Sequence, residues 1–275
     1  MKVRVNGKIN LTLDVVGSFG EGYHKLDTVM ASIGIFDIVE VNLSDKICVF
    51  MDTRECDESN TAFKVAKICH EQYSIPPLKI EITKGIPFCG GLGGSSADAS
   101  AVLYCVQKMF GLAAKEIARV AEKVGSDVSF ILQGGLCRAG GKGDKLENLP
   151  FKEYSLVVAR GKTVTSTKEV FYKFDEIGTT SNHTQLFLSA FEDGNELAFI
   201  GNGLETSAIN LCTDMEKVIC MLARYSNHVC MSGSGACVFA VMENMSDANL
   251  VADKLKNSIP FVKACTTLPY GIKEI

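Results

Sequence analysis

Residues 90–96 read Gly-Gly-Leu-Gly-Gly-Ser-Ser, between a short alternating segment and a helical one. Glycines let a backbone approach a ligand closely and reach positive φ. A helix that starts at such a loop adds unpaired N–H groups and a positive dipole end, which together favour an anion, and a phosphate chain above all. Ser95 or Ser96 adds a hydroxyl for phosphate or for a magnesium ion. The plain alternative is a flexible turn capped by serine. It would account for a single glycine pair, but not for a run of this length.

Other chemistries fit less well. The P-loop pattern G-x-x-x-x-G-K-[ST] is absent. Gly161-Lys162-Thr163 comes close after a strand, but Leu156 stands where the first glycine belongs, so this stretch is a decoy. The G-x-G-x-x-G dinucleotide pattern fails because Ser96 follows Gly91-x-Gly93 at the last position. The H-R-D and D-F-G signatures of protein kinases do not occur. Zinc is not expected, since the 11 cysteines form no C-x-x-C pair and the four histidines are scattered.

The elements around the loop follow from periodicity. From Lys2 to Val15, apolar Val3, Val5, Ile9, Leu11, Leu13 and Val15 alternate with polar residues, which predicts a half-buried strand bent near Gly7. Gly17 to Gly22 signals a turn, and Val29 to Leu43 is strand-like. Asn60 to Tyr73 reads as a helix and Leu78 to Ile82 as a short strand. After the glycine loop, Val102, Cys105, Val106 and Met109 predict a helix that ends at Gly111. Ile117, Val120, Ala121 and Val124 predict another, ending at Gly125, and Asp127 lies just beyond it. A second glycine cluster follows at Gly134, Gly135, Gly140, Gly141 and Gly143.

In the second half, Ser155–Ala159 reads as a strand and 179–202 as helix with loop. A helix around Met215–Leu222 follows. Two strands, His228–Met231 and Ala236–Val241, are joined by a third glycine loop, Ser232-Gly-Ser-Gly235. Asp247 is expected to cap a further helix, and Phe261–Thr266 is the last strand. This β-α-β-β-α-β order is that of a ferredoxin-like unit. A domain boundary is expected near Pro150, dividing 1–150 from 151–275.

Composition bounds the rest. The 275 residues are 47% hydrophobic and 22% charged, which argues against disorder. The formal net charge of −4 gives no basic excess for nucleic acid. No apolar run reaches the length of a membrane span, and the N-terminus lacks a secretory h-region. A reducing cytoplasm is expected, with most cysteines buried as small hydrophobes.

Four stretches together resemble the GHMP kinases. Asn6-Gly-Lys-Ile-Asn-Leu-Thr-Leu13 is similar to the P-A-K-[IL]-N-L-x-L opening of that family, with Asn6 and Gly7 in place of proline and alanine. Pro87 to Ala99 resembles its glycine-rich phosphate loop, with Ser95 in place of a third glycine. Gly22-Tyr-His-Lys-Leu26 and Met231-Ser-Gly-Ser-Gly-Ala-Cys-Val-Phe-Ala240 resemble segments of one branch, whose acceptor is a cytidine diphosphate sugar alcohol in non-mevalonate isoprenoid synthesis. The resemblance implies an α+β fold of two domains: a ribosomal-protein-S5-like ATP-binding domain over 1–150 and a ferredoxin-like substrate-side domain over 151–275.

It also implies roles. Lys8 and Asp127 match the catalytic pair, Asp127 as base and Lys8 stabilising charge, where the plain readings are a solvated strand lysine and a local cap. Pro87, Phe88, Cys89, Gly90, Gly91, Leu92, Gly93, Gly94, Ser95, Ser96 and Ala97 would hold ATP, which brings Mg2+ with it. Asn60 and Lys84 match adenosine contacts, against a helix cap and a surface lysine. Tyr23 would stack on cytosine and His24 would hydrogen-bond its edge, with Thr167 and Phe171 as a second wall. Asn10 would meet the sugar alcohol, and Gly233-Ser234-Gly235 would bring backbone to substrate or phosphate. Two alternatives remain: a GHMP kinase of a smaller alcohol such as homoserine or mevalonate, and a nucleotide-binding module without catalysis. Tyr23 and His24 speak against the first, and Lys8 with Asp127 against the second.

Overall fold

The alternating N-terminal segment forms β1, Lys2–Gly20, which pairs antiparallel with β2, Tyr23–Leu43, in a long hairpin. A computed structural model describes residues 1–20 and 23–275. The Gly22 of the Gly22–Leu26 motif and the end of the expected Gly17–Gly22 turn lie outside the described residues. From Gly17 to Gly20 that stretch continues β1 in place of the expected turn. The ladder shifts register between Asn6 and Gly7, as the bend near Gly7 predicts.

The expectation of a half-buried β1 needs correction. Val3, Val5, Ile9 and Leu11 face the core, but Asn6, Lys8, Asn10, Thr12 and Asp14 on the other side are also buried. Later parts of the chain cover them. The Asp14 carboxylate accepts from the N–H groups of His183 and Thr184, and the Ser232 hydroxyl oxygen accepts from the Asn10 N–H. Polar residues buried with partners are tolerated; without them each would cost several kcal/mol at about the level of a lost hydrogen bond.

The remaining elements of the first unit are β3 (Cys48–Met51), β4 (Arg54–Cys56), α1 (Thr61–Tyr73), β5 (Leu78–Thr83), α2 (Gly94–Phe110), α3 (Ala114–Val124), α4 (Val128–Gln133), β6 (Leu136–Gly141) and β7 (Lys145–Asn148). The sheet runs β4-β3-β5-β2-β1, with β6 also on β2 and β7 on β6. α2 ends as predicted, on Gly111 at φ 69°, whose N–H bonds to the Gln107 carbonyl. Its Val102, Cys105 and Val106 join the core with Ile117 and Val120 of α3.

The second unit contains β8 (Ser155–Arg160), α5 (Thr167–Ile177), α6 (His183–Ser189), β9 (Gly201–Asn202), α7 (Glu205–Leu211), α8 (Met215–Leu222), β10 (Val229–Met231), β11 (Val238–Met242), α9 (Met245–Leu255), β12 (Phe261–Thr266) and β13 (Ile272–Glu274). Its four-stranded antiparallel sheet has the order β10-β11-β8-β12, the ferredoxin-like arrangement. The period-two rule sorts β8 between two cores. Leu156 and Val158 pack with the first unit, and Val157 and Ala159 pack beneath α5, α7, α8 and α9.

Other expectations shift. Asn244, not Asp247, caps α9: its side chain accepts from the Asp247 N–H. The 179–202 segment resolves into α6, a 3-10 turn at Glu196–Phe199, and β9, which joins β1 in parallel. β12 is not the last strand, because β13 returns to pair with β1, setting Val5 opposite Ile272. No helix among the described residues is long and apolar enough to cross a membrane.

Candidate active site

The glycine loop ends at the head of α2. Gly93 takes φ 73° at the cap position, and the helix begins at Gly94. Among the described residues the N–H groups of Gly94, Ser95 and Ser96 make no hydrogen bond within the chain, while the Ala97 N–H bonds to the Gly93 carbonyl. Three open donors and the helix dipole therefore face one cleft of about 690 Å³. Pro87 to Ser96 line it. Ala97 does not: it is wholly buried in the α2 core with its N–H already used, a correction to its expected place in the ATP site. A helix exposes only its first turn of donors, and Ala97 falls behind that turn.

The loop is held from below and from the side. The Lys8 N–H bonds to the Leu92 carbonyl at 3.0 Å, which ties the loop to β1. The Gly90 carbonyl accepts from Cys237 N–H at 3.0 Å, and the Ser232 hydroxyl donates to the Gly91 carbonyl at 3.0 Å. Two glycine loops thus interlock. A Cβ on Gly91, at φ 71°, would stand 2.0 Å from the Ser232 carbonyl oxygen, so the third glycine loop is a partner of the first and not a plain hairpin turn.

Lys8 and Asp127 come together. The Lys8 ammonium lies 3.3 Å from the Asp127 carboxylate and donates to Asn10 Oδ1 at 2.7 Å. Asn10 passes the chain on by donating to Thr28 Oγ1 at 2.8 Å. Lys8 is 4% exposed, so the solvated-lysine reading fails. Asp127 stands at the start of α4 yet makes no side-chain capping bond, so the local-cap reading fails as well. Lys8, Asn10, Asp127 and Gly233-Ser234-Gly235 all line the same cleft as the phosphate loop.

Lys84 also lines this cleft, but it is no surface lysine. Its ammonium bridges Asp37 at 2.5 Å and Asp98 at 2.9 Å, with all three side chains buried. Burial alone would depress the ammonium's pKa; the two carboxylates outweigh it and hold it above its ordinary value. The Asp98 carboxyl is pushed up to about 7, by burial first and by the Asp37 charge, against the pull of Lys84. Asp37 in turn accepts from the Gly85 and Ile86 N–H groups, fixing the strand end that leads into the loop. Asn60 caps α1 through Oδ1, as its plain reading held, and lines the cleft as well.

A second cavity of about 810 Å³ holds Tyr23, His24, Thr167 and Phe171. The His24 ring stacks on Phe171 with centroids 4.7 Å apart, and its Nε2 lies 2.7 Å from Asp175. The Thr167 hydroxyl is 2.9 Å from that of Ser234, which links α5 to the third glycine loop. Tyr23 is 55% exposed, an aromatic face available to a ligand. Sequence reasoning missed Asp37, Asp98, Thr28 and Asp175. Asp98 lies in the phosphate-loop stretch and Asp37 in the strand-like Val29–Leu43, yet what makes each of the four a partner is strand pairing or helix packing.

Two family models match, GHMP kinases N terminal domain over residues 60–135 and GHMP kinases C terminal over 185–260. A 4-diphosphocytidyl-2-C-methyl-D-erythritol kinase of Caldanaerobacter subterraneus subsp. tengcongensis is 32% identical, with 99% of each chain covered. One of Clostridium botulinum (strain Alaska E43 / Type E3) is 34% identical over 93% of this chain and 96% of its own. The crystal structure of a 4-(cytidine 5'-diphospho)-2C-methyl-D-erythritol kinase superposes with a TM-score of 0.84 at 27% identity, over 97% of this chain and 99% of that one. A homoserine kinase from Cytophaga hutchinsonii, at 19% identity and TM-score 0.74, shares the fold.

Proposed function

The chain belongs to the GHMP kinases and, within them, to the 4-diphosphocytidyl-2-C-methyl-D-erythritol kinases, and from that premise we propose how its residues carry the transfer. It is an ATP-dependent small-molecule kinase, and the γ-phosphoryl of ATP passes to a hydroxyl of 4-diphosphocytidyl-2-C-methyl-D-erythritol. Such a transfer needs positioning, charge neutralisation and a group that manages the hydroxyl proton.

Asp127 takes that proton, and Lys8 stabilises the charge that develops on the transferring group. The observation that carries this is the Lys8–Asp127 contact of 3.3 Å in the cleft where the open end of α2 meets the third glycine loop. The triphosphate lies on the N–H groups of Gly94, Ser95 and Ser96. Asn60 and the aliphatic stem of Lys84 wall the adenosine, the Lys84 ammonium being engaged by Asp37 and Asp98. Asn10 orients the acceptor alcohol, with Gly233-Ser234-Gly235 closing over it. Residues 1–150 supply the nucleotide side and, through Asn10, Tyr23 and His24, part of the substrate side, which 151–275 complete.

Mg2+ accompanies the nucleotide. The oxygens present suit a hard cation: the hydroxyl of Ser95 or Ser96 and the Asp127 carboxylate line the cleft. Among the described residues no group of three or more His, Cys, Asp or Glu could hold a metal, so most ligands would be phosphate and water. When bound it neutralises β and γ oxygens.

Cytosine stacks on Tyr23. With Nε2–H of His24 given to Asp175, Nδ1 is the ring nitrogen left as acceptor, matched to the exocyclic amine of cytosine. Thr167 and Phe171 form the far wall. The eleven cysteines are all unpaired, which supports a reducing cytoplasm.

The test is to incubate the protein with magnesium ATP and each acceptor, and to follow ADP. Turnover is expected with the cytidyl substrate and not with homoserine or mevalonate. Folded protein that leaves the cytidyl substrate untouched would sink this reading. ATP binding without any turnover would make the chain a nucleotide-binding module.

A further inference from the structure

Five residues line both cavities: Leu26, Ser126, Lys142, Thr167 and Phe171. They form the passage between the transfer point at Lys8 and Asp127 and the base pocket at Tyr23 and His24. Lys142 is the one charged residue of the five. On the proposed function above, the substrate places its alcohol at one end of this passage and its cytosine at the other. The diphosphate joining them must cross the passage, and it carries the substrate's negative charge.

Of the other lysines that line the two cavities, three are occupied, and the exposed Lys168 lines the base pocket but not the passage. Lys8 is paired with Asp127 and Asn10, and Lys84 with Asp37 and Asp98. Lys123 donates to Gln72 on α1. Among the described residues Lys142 makes no ion pair. Its ammonium lies 3.9 Å from the centroid of the Tyr23 ring and 5.8 Å from that of Phe19. A tight turn between β6 and β7 presents it: Gly143 N–H bonds to the Gly140 carbonyl, and Asp144 Oδ1 accepts the backbone N–H of Lys142 itself. Asp144 is thus spent on the backbone while the side chain stays available to a ligand.

We propose that Lys142 binds the diphosphate of the cytidyl substrate, resting on the Tyr23 ring when no substrate is bound and yielding that ring to cytosine when it moves onto the phosphates. A cation held over an aromatic face is in modest, reversible contact, and a phosphate oxygen is a stronger partner for it. Lys142 would then couple base recognition to phosphate recognition, favouring cytidine diphosphate compounds over cytidine alone.

The test uses Lys142→Met, which keeps the aliphatic stem against Tyr23, and Lys142→Arg, which restores the charge. In Lys142→Met, the KM for the cytidyl substrate and the inhibition constant of CDP are expected to rise about tenfold, the order of one charge-assisted hydrogen bond. The KM for ATP and the binding of cytidine are expected to stay within about twofold, and Lys142→Arg to recover most of the loss. Equal weakening of CDP and cytidine would overturn the proposal, since Lys142 would then only support the Tyr23 ring. A rise in KM for ATP alone would also overturn it, assigning Lys142 to the nucleotide. Direct CDP binding separates this inference from the function beneath it. If wild-type protein binds CDP through Lys142 but transfers no phosphoryl group, the site stands and the reaction falls; if it turns over normally and CDP binding ignores Lys142, the reverse holds.

Discussion

Lys8 and Lys84 stand on the wall of one cleft, both buried and both against aspartate, yet they are built for different work. Lys8 meets a single carboxylate at 3.3 Å, and that carboxylate, Asp127, keeps about a quarter of its side chain exposed. Lys84 is closed between Asp37 and Asp98, which are 0% and 2% exposed at their side chains. A group that must exchange protons or touch a substrate needs an open side. A group that holds a strand end against a helix does not. The contrast sets the pair proposed to react apart from the triad proposed to support it, by exposure and partner number.

The largest expected effect is on the open pair. Asp127→Asn should lower kcat by about 10²- to 10⁴-fold, the range for loss of a positioned general base. The Asn keeps an acceptor for Lys8, and Asp127 caps nothing, so folding and ATP binding should persist. Steady-state kinetics with equilibrium nucleotide binding would check this. Loss of nucleotide binding in folded protein would place Asp127 among structural groups and erase the contrast.

Lys84→Met reads the closed triad. It leaves two buried carboxylates facing one another without a cation, and removal of one partner from a buried charge cluster costs about 3–5 kcal/mol. Urea unfolding should show it. The turnover of the fraction that stays folded should fall far less than in Asp127→Asn. If kcat instead collapses with stability intact, Lys84 acts on the nucleotide directly.

The contrast was half legible in the sequence. Lys8 and Asp127 could be named because the stretches around them resemble the GHMP kinases; their local patterns alone favour a solvated strand lysine and a cap. The phosphate loop and α2 could be placed because glycine, serine and apolar spacing encode a helix start locally. Asp37 and Asp98 could not, since what makes them partners is that β2, β5 and α2 converge, and nothing in the spacing of 37, 84 and 98 announces it. The same limit hid β13, three residues whose pairing with β1 is a matter of tertiary return. It also hid the burial of the polar face of β1, which alternation reads as solvent-facing unless the covering chain is known.

The decoy at Gly161-Lys162-Thr163 gives a smaller test of the same lesson. Its N–H groups point at an anion, as a glycine loop should, but the anion is the chain's own Asp214: Lys162 N–H donates at 2.6 Å and Thr163 N–H at 3.3 Å. Burial pushes the Asp214 carboxyl up, but these donors prevail and hold it below its ordinary value. Asp214→Ala should cost about 1–2 kcal/mol in a half-exposed setting, seen in thermal unfolding. Added sulfate should recover part of it by filling the emptied nest. No stabilisation by sulfate beyond that of the wild type would mean that the loop relaxes once Asp214 is gone.

The smallest effect concerns the proton on the closed triad. With its carboxyl pushed up to about 7 from an ordinary 3.8, folded Asp98 holds a proton across that window which the unfolded chain has released. Stability falls with rising pH wherever the folded state binds more protons. Asp98 therefore contributes most at the acid end of the window, and that contribution is lost as pH rises through about 7. Asp98→Asn has no proton to lose, so its stability relative to wild type should be higher at about pH 8 than at about pH 5.5, read as the shift in urea midpoint at each pH. A difference that stays constant between those two pH values would mean that Asp98 is ionised throughout. Lys84 would then hold two full charges, and the closed triad would differ from the Lys8–Asp127 pair in access to the cleft alone.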